Sequence, residues 1–60
     1  MTGLTQMEVS SIREIASGHI TTAAKLNEYA SKCSDPQLKQ MFQKAATDAK
    51  ASAQKLIGML

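Results

Sequence analysis

Sixty residues with a net charge of +2, one cysteine, one tyrosine, one phenylalanine and no tryptophan point to one domain with a thin core, because a monomer of this size buries only about 60% of the surface its unfolded chain exposes. A lone cysteine excludes an internal disulfide and leaves a thiol that pairs, if at all, between chains, while so mild a charge serves solubility without implying a polyanion partner. Good helix formers fill the sequence and the alternating β-branched and aromatic signature of strands is absent, so an all-α fold is expected.

The opening residues Met1-Thr2-Gly3-Leu4-Thr5 lack the basic-then-apolar pattern of a signal peptide. No run approaches the ~20 apolar residues of a membrane span. Cytoplasmic synthesis and no membrane partner are the expectation. Residues 1–4 read as a loose end.

Helix 1 is expected over about residues 5–33. Thr5-Gln6-Met7-Glu8 is a capping box, in which Thr5 bonds the backbone N–H of Glu8 and Glu8 reaches back to that of Thr5. Leu4 and Val9 are placed for a hydrophobic staple across it. The apolar stripe runs through Val9, Ile12, Ile15, Ala16, His19, Ile20, Ala23, Leu26, Tyr29, Ala30 and Cys33, in steps of mostly three and four, the helical period. Glu28 and Lys32 make an i,i+4 pair in the favourable order on the wet face. Gly18 is the weak point, costing about 1 kcal/mol against Ala in a helix interior. It reads either as tolerated flexibility or as a place where another backbone comes close.

Cys33-Ser34-Asp35-Pro36 ends one helix and starts the next, with the turn at residues 34–35. Asp35 is a strong N-cap, and Pro36 suits the first helical position, where its missing N–H costs nothing. Helix 2 is expected over about residues 36–58. Its stripe is Leu38, Phe42, Ala45, Ala49, Ser52, Ala53, Leu56 and Leu60, with Met41, Ala46, Ile57 and Met59 on the edges.

So short a loop forces the helices antiparallel. Cys33 then falls near Leu38, Ala30 near Met41 and Phe42, Leu26 near Ala45, His19 near Ser52 and Ala53, and Ile15 and Ala16 near Leu56. Large faces small along the middle, the arrangement a defined core wants. Two helices alone leave the flanks of their stripes wet, so dimerisation into a four-helix bundle is expected. The residues expected to carry core and interface are Ile12, Ile15, His19, Ala23, Leu26, Leu38, Phe42, Ala45, Ala49, Leu56 and Ile57.

Catalytic residues are not expected, nor is a bound cofactor. His19, in mid-stripe, reads as a core histidine needing partners for its ring nitrogens; Ser52 or the same residue of another chain could supply them. A metal ligand is the sharper alternative, with Glu8 as its only companion on that face, but no Glu-x-x-His motif of the di-metal bundles is present. Cys33 and His19 stand some 20 Å apart along one helix, too far for a dyad. Lys39, Lys44, Lys50 and Lys55 split between both sides of the helix 2 stripe, with no aromatic residue placed for base stacking, so nucleic acid is not an expected partner.

From Leu26-Asn27-Glu28-Tyr29-Ala30 through Ser34-Asp35-Pro36-Gln37-Leu38-Lys39 to Leu56, the chain resembles the small spore coat proteins of the coat F type, which are grouped with ferritin-like helical hairpins. The shared features are Tyr-Ala near the end of the first helix, Asp-Pro-x-Leu-Lys at the turn, and a heptad-like second helix ending in Leu56-x-x-x-Leu60. Family members often carry a histidine near the position of Asp48 or Ala49, and this chain has none there. The resemblance implies a structural role in a spore coat, by association with itself and with other coat proteins. The alternatives are a metal-binding bundle assembled from several chains and a helical adaptor that offers its stripe to another protein.

Overall fold

In the computed structural model, which describes residues 3–60, the chain folds into α1 (Gln6–Lys32) and α2 (Pro36–Gly58). Among the described residues there is no strand. The expectation of a loose end at residues 1–4 falls half outside the described residues; Gly3 and Leu4 precede α1 outside any helix.

Each boundary has a side-chain cause. The Thr5 backbone N–H donates to Glu8 Oε1 at 2.9 Å, and the Glu8 N–H donates to Thr5 Oγ1 at 3.1 Å. That reciprocal box satisfies two N–H groups that an α-helix otherwise leaves unpaired. At the other end Cys33 turns extended, its N–H donating to the Ala30 carbonyl at 3.2 Å. Two residues later Asp35 Oδ1 accepts from the N–H groups of Gln37 and Leu38, at 2.8 and 3.2 Å, with Pro36 opening α2. Lys32–Glu28 at 3.2 Å and Lys44–Asp48 at 3.1 Å are exposed i,i+4 pairs, worth tenths of a kcal/mol each.

The two helices pack against each other in a flat rod whose Cα trace measures 47 × 13 × 9 Å. Seam positions recur without a break. On α1, Val9, Ile12, Ala16, His19, Ala23, Leu26 and Ala30 are buried or half-buried, and on α2 so are Lys39, Phe42, Ala46, Ala49, Ala53 and Leu56. Steps of three and four alternate throughout, the spacing of a coiled-coil seam. The Tyr29 and Phe42 rings, 6.2 Å apart and tilted at 50°, anchor the register near the turn. In that register Ala30 is level with Phe42, Leu26 with Ala46, Ala23 with Ala49, His19 with Ala53, and Ala16 with Leu56.

The seam of α2 lies one residue around from the expected stripe. Ala46, expected on the edge, is 3% exposed, whereas Ala45 and Ser52, expected in the stripe, lie on the exposed surface. Phe42, Ala49 and Leu56 belong to either phase; the observed one buries Ala53 and leaves the Ser52 hydroxyl in water, where it needs no partner. Lys39 takes the first place of the observed phase, half-buried beside the turn. Its aliphatic stem can cover the end of the seam while the ammonium stays wet.

Candidate functional site

The chemistry of this hairpin lies in what its seam buries and what it leaves uncovered. The buried residues are Ile12, Ala16, Ala23, Ala30, Ala46 and Ala53. Five of these six are alanine, and no large side chain is fully buried among the described residues. Burying a methyl or methylene contributes about 0.8 kcal/mol, against about 1.5–3 kcal/mol for a whole Leu, Ile or Phe side chain. Alanine lets the helices come close, but it leaves the bulky side chains straddling the edges of the seam.

Those side chains are therefore wet. Met7, Ile15, Ile20, Tyr29, Leu38, Met41, Ile57 and Met59 are between 41% and 72% exposed. Met7 and Met41 stand on the outer surface of the helices, and the other six divide between the two flat sides of the rod. Ile20 and Ile57 border an open groove of about 360 Å³ on one side, floored by Ala23, Ala24 and Ala53 and rimmed by Asn27, Lys50 and Gln54. Ile15 precedes the seam residue Ala16 by one position, whereas Ile20 follows it by four. At about 100° per residue, that puts Ile15 on the side opposite the groove. Tyr29, Leu38 and Met59 hold the same place relative to Ala30, Lys39 and Leu60, and Ala45 relative to Ala46.

The expected core and interface residues thus sort into two groups. Ile12 and Ala23 are buried, and His19, Leu26, Phe42, Ala49 and Leu56 are half-buried along the seam. Ile15, Leu38, Ala45 and Ile57 lie outside it, exposed within the single chain. Ala46 and Lys39 were legible as seam positions only from the unbroken three-four spacing of α2, which a reading by apolar residue type passes over.

His19 sits at a half-buried seam position, and its expected partner Ser52 is on the exposed surface. Glu8 stands three turns away with its carboxylate engaged by Thr5. The Thr5 backbone N–H, and secondarily its hydroxyl, hold the Glu8 carboxyl below its ordinary pKa. Among the described residues, no three His, Cys, Asp or Glu side chains group as metal ligands do. Cys33 is free and half-buried at the turn. Of the α2 lysines, Lys44 pairs with Asp48, Lys50 rims the groove and Lys39 flanks the turn, so they do not form one patch. No described helix is long and apolar enough to cross a membrane.

The chain matches no protein-family model, no curated protein and no solved structure.

Proposed function

We propose that this chain is a non-enzymatic assembly protein that works by self-association of its hairpin, most simply as a dimer forming a four-helix bundle. One observation carries this reading: a seam whose buried residues are all alanine apart from Ile12 lies between two flanks that expose Ile15, Ile20, Tyr29, Leu38, Ile57 and Met59. Soluble monomers scatter apolar side chains singly, whereas aligned exposed ones mark contact surfaces. A second hairpin turns those flanks into core and supplies the bulky burial the seam lacks. The likeness to spore coat proteins, read from Tyr29-Ala30, Asp35-Pro36-x-Leu38-Lys39 and Leu56, adds a setting to the proposal: assembly within a spore coat, with other coat proteins as partners. No family match supports that setting.

A metal-binding bundle has less support, because no two other His, Cys, Asp or Glu side chains among the described residues group with His19 within the chain and Glu8 is held by its own helix end. Sedimentation equilibrium of the purified chain with a reducing agent present tests self-association. The expected result is at least twice the chain mass, with cooperative unfolding. A monomer of weak helicity would turn the reading toward an adaptor for another protein.

A further inference from the structure

Self-association leaves open which side of the rod is covered, and the two sides are not alike. On the side away from the groove, the position next to the seam is occupied along α1 by Glu8, Ile15, Thr22 and Tyr29, and along α2 by Leu38, Ala45 and Ser52, with Met59 at its C-cap. Only Glu8 is charged, and it stands at one end, tied to Thr5. The corresponding places on the groove side hold Gln6, Arg13, Ile20 and Asn27 on α1, and Gln43, Lys50 and Ile57 on α2. The charges of Arg13 and Lys50 and the side-chain amides of Gln6, Asn27 and Gln43 interrupt the apolar surface there or close it off.

We infer that a second copy of this chain docks on the side bearing Ile15, Tyr29, Leu38 and Met59, and that the groove side stays wet; the inference rests on the self-association proposed above. A helix paired with one partner needs only the two seam positions of its heptad apolar, whereas a helix in a bundle core carries a third, on one flank. Both helices add that third position on the same flank, because they run antiparallel. The area also suits a dimer. A face 47 Å long and 13 Å wide across the Cα trace covers roughly 600 Å² when flat and more when corrugated by side chains, close to the ~800 Å² per partner of a stable complex. Bulky residues stand towards the two ends, while Thr22, Ala45 and Ser52 occupy the middle. Two such faces can approach closely at the centre and interdigitate at the ends.

Matched lysine variants on the two sides test this. Ile15→Lys and Leu38→Lys alter the apolar side; Ile20→Lys alters the groove side. All three residues are already 41–51% exposed, so lysine at any of them suits the hairpin itself about equally. Sedimentation equilibrium over a range of concentrations reads the dissociation constant, and circular dichroism reads helicity. The expected result is a dissociation constant raised at least tenfold by Ile15→Lys and by Leu38→Lys, with Ile20→Lys close to the parent chain. If a variant of the apolar side loses helicity along with its dimer while Ile20→Lys keeps both, the face is equally supported. If Ile20→Lys dissociates the dimer and the other two do not, the assignment of the face is overturned while self-association stands. A parent chain that stays monomeric at every concentration overturns self-association itself.

Discussion

Single side chains decide where the two helices begin, and they carry the clearest local consequences. Asp35 caps α2 with two hydrogen bonds to Gln37 and Leu38; Asp35→Ala should cost about 1 kcal/mol, read as a lowered midpoint in urea. The Thr5–Glu8 box is acid-sensitive. Because the folded state holds the Glu8 carboxyl below its ordinary pKa, its contribution is complete above the ordinary glutamate pKa and is lost as the pH falls through the lowered one. The helical Cα shifts of the first turn of α1 should therefore collapse in strong acid in the parent chain. In Glu8→Ala they should be weak at every pH, with no titration step. Gly18 is explained by nothing the hairpin requires, since a Cβ built there meets no atom within 4 Å. Gly18→Ala should stabilise the chain by about 0.5–1 kcal/mol, seen as a higher melting midpoint. A lowered midpoint would contradict the reading of Gly18 as a position with free space around it.

At the scale of the helices, the caps and the turn were legible in the sequence because each is a local rule written in a few adjacent residues. Thr5-x-x-Glu8 and Asp35-Pro36 name their own ends, and both helices run within a residue of where those signals put them. The phase of α2 was less legible. Leu38, Ala45 and Ser52 share a face with Phe42 and Ala49, so apolar spacing alone allows a stripe centred on either side of Phe42. What decides it is a long-range fact, the packing against α1 that buries Ala46 and Ala53 and leaves Ala45 and Ser52 exposed. A charge placed in that seam tests the phase. Ala49→Glu puts a carboxylate at a half-buried position level with Ala23, where an unpaired charge has no compensation. It should cost about 3 kcal/mol or more and abolish cooperative unfolding. Ala51→Glu, on the exposed outer face, should change stability by no more than about 0.5 kcal/mol. Equal effects of the two would contradict the seam.

For the whole molecule, the decisive comparison is between what is buried and what is bulky. The core rests on alanine, while Ile15, Ile20, Tyr29 and Ile57 remain about half exposed. The sequence shows the apolar content of both helices but not how much of it a lone hairpin can cover. That depends on the width of the seam, which emerges only when the helices are packed. The proposed second copy would cover part of that exposed apolar surface, and mass action would then tie stability to concentration. The concentration dependence of the melting midpoint, followed by circular dichroism across a hundredfold range with a reducing agent present, is the most direct measurement of that link. A self-associating hairpin requires the midpoint to rise steadily with concentration, and a midpoint that stays constant over the whole range would contradict it.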